Sequence, residues 1–237
     1  RNVNNALPFE GNKTEVYTDG LSMLQSLMKA ISKAKHHIHL EFYIFEDDPV
    51  GRLLRDLLID KAREGVEIRL LYDDVGCWKV PHLFYDEMRG AGIEARGFLK
   101  VRFPVFTSKV NYRNHRKIVV IDGKVAFTGG MNIALRYMKG FQWGIWRDTH
   151  IKIEGKAVYG LQTAFLTDWY VVDRTLITSS RYFPEMDSYG NALMQIVTSD
   201  PVGEWRDIMQ GLLIAISSSR KYFYIQTPYL LPTEPIL

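Results

Sequence analysis

The chain has 237 residues, of which 46% are hydrophobic and 24% are charged, a balance that excludes an intrinsically disordered protein. Thirty basic residues against 27 acidic ones give a net charge of +3, which is too small to indicate nucleic-acid binding by itself. A single cysteine, Cys77, excludes an internal disulfide framework, and no apolar run reaches the roughly 18–20 residues of a membrane span. Because the chain begins with Arg1, we expect a piece of a longer protein, in which an upstream segment could supply a membrane anchor.

Helix and strand patterns alternate along the first hundred residues. The first predicted helix has Asp19 as its N-cap, and the second is expected to end near Gly65. The apolar side chains of the first helix recur at the spacing of one helical face, at Leu24, Leu27, Met28 and Ile31. The following segments are predicted as strand, helix, strand, helix and strand, over residues 37–45, 53–58, 66–72, 82–89 and 92–97. This repetition predicts an α/β fold with a mixed but mostly parallel sheet flanked by helices.

The first predicted strand contains one acidic residue, Glu41, and three histidines cluster at its start. A buried carboxylate needs partners, so we expect a basic residue near Glu41, in a role that is either catalytic or structural. His36, His37 and His39 lack the Cys/His spacing that is typical of zinc sites. We therefore predict that these histidines bind no metal.

A basic segment precedes the most informative part of the sequence. Residues 100–117 contain six lysines and arginines and no acidic residue. The segment could be a solvated loop, or it could form a positively charged wall that attracts anions to a neighbouring site.

Residues 114–133 predict a β-hairpin. The Asp122-Gly123 dipeptide favours a two-residue type I′ turn between strands over 118–121 and 125–128. Such a turn would pair Ile121 with Lys124, and continuing that register would place Gly130 opposite His115.

Strand alternation then indicates how the polar residues of this hairpin are arranged. His115 and Lys117 are two residues apart and are predicted to share one face of the sheet, while Arg116 points to the other. Because glycine has no side chain, Gly129 and Gly130 are expected to leave open space beside the imidazole and the ammonium.

This predicted corner suits phosphoryl chemistry. A neutral imidazole is a competent nucleophile or general acid near pH 7, so His115 is the candidate reacting group. Lys117 would supply a positive charge and Asn132 amide donors for an oxyanion such as a phosphoryl group. Asp122 serves mainly as the residue that its turn requires.

The complete pattern is more specific than its parts. His115-x-Lys117, Asp122 and Gly129-Gly130-x-Asn132 resemble the signature of the phospholipase D superfamily. Four further segments look like its cardiolipin synthase branch: LEFYIF at 40–45, NYRNHRK at 111–117, WRDTH at 146–150 and QTPY at 226–229. The resemblance extends from about Val16 to Pro232 and implies a phospholipase D-like fold.

The family resemblance implies a bacterial enzyme of phospholipid biosynthesis. In that family two motif copies meet in one site, where one histidine forms a phosphohistidine and the other protonates the leaving alcohol, without a metal or another cofactor. Phosphatidylglycerol is the implied donor and a second phosphatidylglycerol the acceptor, so that cardiolipin forms and glycerol leaves. The implied location is the cytoplasmic side of the cell membrane, reached peripherally or through an anchoring segment outside this chain.

Roles for individual residues follow from the same resemblance. His115 would be the nucleophile, with Lys117 and Asn132 as phosphate ligands, and Asp122 belongs to the catalytic signature. The pair Gly129 and Gly130 would line the phosphate-binding corner. Asp148 could orient a catalytic imidazole or form an ion pair with Arg147, and Glu41 is a supporting residue.

The sequence also contains an internal repeat. Ala30-Ile31-Ser32 recurs as Ala215-Ile216-Ser217, at an offset of 185 residues. We therefore predict a first repeat over 1–200, which carries the motif, and the beginning of a second, truncated repeat over 201–237. The second histidine would come from the missing C-terminal half of the same protein or from a second identical chain. The first source is favoured, because the second repeat has already begun, and the chain by itself is expected to be inactive.

Three alternatives to a phosphatidyltransferase remain open at this point. A phospholipase D-type hydrolase would use the same site with water as the acceptor. A nucleic-acid phosphodiesterase would use the basic segment to follow a phosphate backbone, although nucleic acid is not the expected partner. A non-catalytic binding module would retain the fold without a complete site.

Overall fold

The computed structural model describes residues 6–98, 113–140, 142, 144–199 and 207–227. The chain divides into two compact units, Phe9–Met194 and a smaller unit formed by Arg1–Pro8 with Gln195–Leu237. The motif residues all belong to the larger unit.

The described elements alternate between strand and helix for most of the chain. In chain order they are β1 (Pro8–Tyr17), α1 (Gly20–Ile31), β2 (His37–Phe42), α2 (Pro49–Arg63), β3 (Glu67–Asp73), α3 (His82–Gly90), β4 (Glu94–Phe98), β5 (Ile118–Ile121), β6 (Val125–Gly129), α4 (Leu135–Lys139), β7 (His150–Glu154), α5 (Val158–Asp173), a 3₁₀ turn (Ser180–Tyr182), β8 (Ala192–Gln195) and α6 (Asp207–Ser218). The predicted helices and strands of the first hundred residues are confirmed, with ends that move by a few residues.

The helix ends illustrate why these predictions succeed. Asp19 caps α1 as expected, because its Oδ1 accepts a hydrogen bond of 2.8 Å from the Ser22 N–H. Asp48 caps α2 by accepting from the N–H groups of Val50 and Gly51, both at 2.9 Å. Gly65 follows α2 with φ +91°, a conformation that glycine adopts without a steric penalty.

The eight described strands form one sheet in the order β4-β3-β2-β5-β6-β7-β1-β8. Helices α2 and α3 connect the parallel strands β2, β3 and β4, as a parallel pairing requires. The pairings β2 with β5, β5 with β6, β6 with β7 and β7 with β1 are antiparallel. The mixed α/β fold is therefore confirmed, but the expectation of a mostly parallel sheet is wrong, since β5, β6 and β7 run up and down instead of crossing over.

Strand β2 is buried on both of its faces. Ile38 and Leu40 belong to the apolar core that includes residues of α1 and α2. The alternate side chains His37, His39 and Glu41 are also buried, and they point towards α5. Helix α5 therefore covers a polar face of this strand, and the site lies at the end of that face.

The histidines of this polar face are held as neutral rings. The His39 ring stacks on Phe165 of α5 at a centroid distance of 4.5 Å, and its Nδ1 lies 3.2 Å from Oε1 of Gln162. His37 packs edge-on against Tyr182 at 4.9 Å. Burial, reinforced by the neighbouring His36, lowers the pKa of His37 to about 4.

The smaller unit contains α6, which includes the repeated Ala215-Ile216-Ser217. At the repeat offset of 185 residues, positions 222–227 correspond to β2, and a complete repeat would form a strand there. The described residues 222–227 form no strand. None of the described helices is both long and apolar enough to cross a bilayer.

The buried His37 predicts a loss of stability in acid. Its folded-state pKa of about 4 lies below the ordinary value of 6.5, so protons bind the unfolded chain more readily as the pH falls below 6.5. We expect His37 alone to remove about 3 kcal/mol of unfolding free energy between pH 7 and pH 4.

The measurement is the unfolding free energy of wild type and His37→Asn across this pH range. The slope of unfolding free energy against pH should be shallower in His37→Asn than in wild type by the equivalent of one proton, whatever the absolute stability of the variant. The exposed His82, changed to Asn, is the control that should keep the wild-type slope. Equal slopes for wild type and His37→Asn would show that His37 is not buried as a neutral ring.

Candidate active site

The hairpin that carries the motif has a register different from the predicted one. Ile121 pairs with Val125 and Ile118 with Thr128, so the loop contains three residues and the pairing is shifted by one. The turn itself is of the expected kind, because Asp122 and Gly123 have φ of +53° and +66°. The third loop residue, Lys124, lies between this turn and the first residue of the return strand, Val125.

Asp122 lies apart from the other motif residues. Its carboxylate accepts hydrogen bonds from the N–H groups of Lys35, His36 and His37, at 2.9, 2.8 and 3.0 Å. It therefore fixes the start of β2. Asp122 directly follows the last residue of β5, whereas His115 lies before the first residue of the same strand. The structure does not bring Asp122 to the corner that holds His115 and Lys117, and the contacts of its carboxylate are with the backbone at the start of β2.

This placement predicts that Asp122 affects stability and not the His115 environment. Asp122→Ala leaves three N–H groups without their acceptor, and we expect a loss of about 2–4 kcal/mol of unfolding free energy. Asp122→Asn should lose less, since asparagine tolerates the left-handed turn and keeps one acceptor oxygen. Denaturant unfolding measures both changes, with Lys124→Ala as a control in the same loop. A loss of less than about 0.5 kcal/mol for Asp122→Ala would contradict this role.

His115 and Lys117 lie side by side in the segment that precedes β5. The exposed imidazole of His115 stacks on the Tyr43 ring, with centroids 3.9 Å apart and an interplanar angle of 17°. The Lys117 side chain is 9% exposed, and its Nζ donates a hydrogen bond of 2.6 Å to the His115 carbonyl oxygen. The same Nζ lies 5.7 Å from the Tyr43 ring centroid. The two residues share one corner as predicted, although they come before the strand and not within it.

Electrostatics keep the His115 ring neutral. Partial burial and the positive charge of Lys117 lower the pKa of His115 below its ordinary value, against an opposing effect of Asp73. A neutral ring has a free nitrogen lone pair near pH 7, which is what a nucleophile requires. Burial also lowers the pKa of Lys117, and the nearby Asp148 carboxylate opposes that shift.

The charge of Lys117 gives a direct prediction for the His115 titration. Lys117→Met removes that charge, so the pKa of His115 should rise, while remaining below the ordinary value because burial is the larger cause. Histidine ring resonances followed by NMR across pH measure this shift. Lys124→Met, at the far end of β5, is the matched control and should leave the titration unchanged. An unchanged or lower pKa in Lys117→Met would contradict the proximity of the two groups.

Asn132 is buried and hydrogen-bonds both to the segment that follows β2 and to α4. Its Oδ1 accepts from the Ile44 N–H at 3.0 Å, next to Tyr43, and its Nδ2 donates to the Tyr137 hydroxyl at 2.7 Å. Tyr137 takes one of the two amide hydrogens. The side chain therefore lies near the corner, in a fixed orientation.

The expected open space at Gly129 and Gly130 is not found. A side chain at Gly130 would collide with the Asp148 carboxylate, and one at Gly129 would meet Thr149 and His150. The glycines are required because the segment before β7 runs against them, and Asp148 fills the volume that sequence reasoning left empty. Backbone strain is a second reason for glycine at 129, where φ is +152°.

Asp148 is placed beside Lys117 and not against an imidazole. Its Oδ1 accepts from the Thr149 N–H at 2.7 Å. Among the described residues it forms neither a hydrogen bond with His115 nor an ion pair with Arg147. His150, which sequence reasoning did not single out, is buried with an Nδ1 that has no partner in the described part of the chain. Burial and the charge of Lys117 lower the pKa of His150 to about 4.

Glu41 lies directly behind the reacting segment. Asn114, the residue before His115, donates its side-chain N–H to the Glu41 carboxylate and also contacts Asp168 of α5. Arg116, the residue after His115, pairs with Asp168 and is the basic residue expected near Glu41. Sequence reasoning missed Asn114 and Asp168, whose distance along the chain gives no local signal of contact.

Two other predictions concern metals and the basic segment. Within the described residues, no group of three or more His, Cys, Asp or Glu side chains could hold a metal ion. Most of the basic segment 100–117 lies outside the described residues, which resume at Arg113.

Comparison with known proteins shows which protein family the chain resembles. Residues 27–169 match the family described as "Cardiolipin synthase, PLD-like domain". The chain is 42% identical to the major cardiolipin synthase ClsA of Bacillus subtilis (strain 168), over 99% of this chain and 49% of that protein. It is also 42% identical to a cardiolipin synthase of Geobacillus sp. (strain WCH70), over 95% of this chain and 45% of that protein. The chain thus spans about half the length of the curated relatives it matches.

Solved structures agree on the fold. Nuc, a phospholipase D family member from Salmonella typhimurium, matches with a TM-score of 0.51 and 17% identity, over 68% of this chain and 96% of that one. Phosphatidylserine synthase from Haemophilus influenzae Rd KW20 matches with a TM-score of 0.53 and 16% identity, over 78% of this chain and 43% of that one. At these identities the likeness concerns the fold alone. Since the family match covers more than half of the residues, the chain belongs to the cardiolipin synthase family with a phospholipase D-like domain.

Proposed function

We propose that this chain supplies one half of the active site of a phosphatidyltransferase that converts two phosphatidylglycerol molecules into cardiolipin and glycerol. The observation that carries the proposal is the exposed imidazole of His115 beside the Lys117 ammonium, in a chain of this family. The enzyme acts at the membrane surface, because both substrates are bilayer lipids, and the family resemblance supports the cytoplasmic side.

The first step uses the neutral ring of His115. A ring nitrogen forms a bond to phosphorus as the bond from phosphorus to the headgroup glycerol oxygen breaks. A second histidine, outside this chain, gives its proton to the leaving glycerol. Tyr43 stacks on one face of the His115 ring, which restricts the imidazole to a narrow range of orientations.

The second step returns the phosphatidyl group to a lipid. The second histidine takes the proton from a hydroxyl of another phosphatidylglycerol, whose oxygen attacks phosphorus. The bond between phosphorus and His115 then breaks, so the ring regains its lone pair and the proton balance closes. No co-reactant beyond the two lipids is needed.

Charge on the phosphoryl oxygens must be stabilised in both steps. Lys117 presents an ammonium at the reacting corner, and its burial strengthens its interaction with an anion. The amide hydrogen of Asn132 that Tyr137 does not use supplies a further donor. Gly130 leaves room for the Asp148 carboxylate, whose charge favours the charged form of Lys117, and Gly129 leaves room for the backbone that follows Asp148.

The site is completed by a second His-x-Lys copy. The chain spans about half of its relatives, and the helix α6 overlaps the start of the predicted second repeat. We therefore assign the second histidine to a C-terminal half and not to a second identical chain.

Product identification tests this proposal. The chain joined to the C-terminal half of a cardiolipin synthase, supplied with phosphatidylglycerol vesicles, should release glycerol and cardiolipin in equal amounts. His115→Asn should lower turnover by at least about a thousandfold, because the nucleophile is lost. The exposed His82→Asn should match wild type.

Each other outcome would indicate a different reaction or a different assembly of the active site. Phosphatidic acid as the main product would replace the transferase with a hydrolase that uses water. Turnover by the 237-residue chain alone that rises with the square of its concentration would replace the C-terminal half with a second identical chain. Turnover by the monomeric chain would contradict the half-site altogether.

A further inference from the structure

Two buried acids meet behind the reacting segment. Glu41 on β2 is 2% exposed and Asp168 on α5 is 6% exposed. The side-chain nitrogen of Asn114 is hydrogen-bonded to both, to Oε1 of Glu41 and, at 3.3 Å, to Oδ2 of Asp168. One amide nitrogen thus joins a strand and a helix that are far apart in the sequence.

The charges at this junction do not balance if both acids are ionised. Arg116 pairs with Asp168 and is the single guanidinium that the described structure places against the two carboxyl groups. The second oxygen of Glu41 is buried and accepts no hydrogen bond from any described residue. Burial and the Asp168 charge raise the pKa of Glu41 well above its ordinary value. A proton on Glu41 removes the repulsion and gives this carboxyl a hydrogen to donate to Asp168.

The same junction fixes both neighbours of His115. The Arg116 N–H donates to Oδ1 of Asn114 at 3.0 Å, and the Asn114 N–H donates to Oδ2 of Asp73 at 3.3 Å. The side chains before and after His115 therefore point inward to buried acids. The imidazole between them points outward and stacks on Tyr43.

We propose that Glu41 and Asp168 form a proton-sharing acid pair that acts, through Asn114 and Arg116, as a positioning device for the His115 imidazole. The proposal rests on the assignment of His115 as the nucleophile. Neither acid touches the reacting atoms. Their effect is to hold the backbone of residues 114–116 in the one arrangement that presents the ring beside Lys117.

The proton on Glu41 makes the two acids unequal, and this asymmetry is testable. Glu41→Gln is neutral like a protonated glutamate, and its amide can donate to Asp168 while its oxygen accepts from Asn114. Asp168→Asn removes the carboxylate charge that pairs with the partly buried Arg116 guanidinium. The two isosteric changes should therefore differ sharply in effect.

The kinetic test uses the chain joined to a C-terminal half, with phosphatidylglycerol vesicles. Asp168→Asn should lower kcat about 10–100-fold with little change in KM, because a displaced nucleophile affects the reaction more than lipid binding. Glu41→Gln should stay within about threefold of wild type. Asp173→Asn is the matched control, since Asp173 is on the same helix and pairs with Arg96 at 2.8 Å, away from the junction. Equal losses in Glu41→Gln and Asp168→Asn, or no loss in either, would overturn the proposal.

A second readout does not depend on catalysis. In the 237-residue chain, the NMR ring resonances of His115, assigned with His115→Asn, should shift in Asp168→Asn and keep their wild-type positions in Glu41→Gln and Asp173→Asn. A shift of the His115 resonances in Asp168→Asn alone, together with no turnover by the joined chain, would refute the proposed function and retain the positioning device. Unchanged resonances in Asp168→Asn would refute the device while leaving the proposed function standing.

The pH dependence of stability covers the case in which Asp168→Asn fails to fold. The charged groups that face Glu41 are Asp168 from α5 and Arg116 from the segment before β5. The cross-strand neighbours of Glu41 on β3 and β5 are the apolar residues Leu71 and Ile118. A raised pKa in the folded state means that stability declines as the pH rises above the ordinary glutamate value. In Glu41→Gln the decline of Tm with rising pH should be shallower than in wild type, because the group that binds this proton is absent. Identical slopes in wild type and Glu41→Gln would show that Glu41 does not hold the proton.

Discussion

The site depends on a neutral imidazole held next to a positive charge. His115 stacks on Tyr43, and the Lys117 ammonium donates to the His115 carbonyl oxygen at 2.6 Å. Burial and the same charge that would stabilise a phosphoryl oxygen lower the pKa of the ring and keep its lone pair free. The proposed nucleophile and its electrostatic support are therefore a single arrangement, and moving either residue changes both.

Strand β2 organises this arrangement. Asp122 binds the N–H groups at its start, Glu41 lies on the face that α5 covers, and Tyr43 follows its end and stacks on His115. Its other face packs into the apolar core. A change of pairing register at β2 would therefore displace the acid pair, the stacking tyrosine and the core together.

Local signals in the sequence predict most of the elements, because caps and helical periodicity act over a few residues, as at Asp19 and Gly65. The spacing of His115 and Lys117 likewise predicts their proximity, since two residues so close along the chain remain close in space. The errors concern distant contacts. Asp122 looked like a catalytic and turn residue, but its carboxylate binds N–H groups more than 80 positions away. The space over Gly130 looked open until the segment with Asp148 was placed against it. The partnership of Asn114 with Asp168 was missed for the same reason.

The most direct test of this account is to look for the bond between His115 and phosphorus. The chain joined to a C-terminal half would be mixed with phosphatidylglycerol, quenched in denaturant at neutral pH, digested with a protease and examined by mass spectrometry. The account predicts a phosphatidyl group on the peptide that contains His115, and its loss in His115→Asn with His82→Asn unaffected. A phosphatidyl group found only on a histidine of the other half, or none during active turnover, would contradict it.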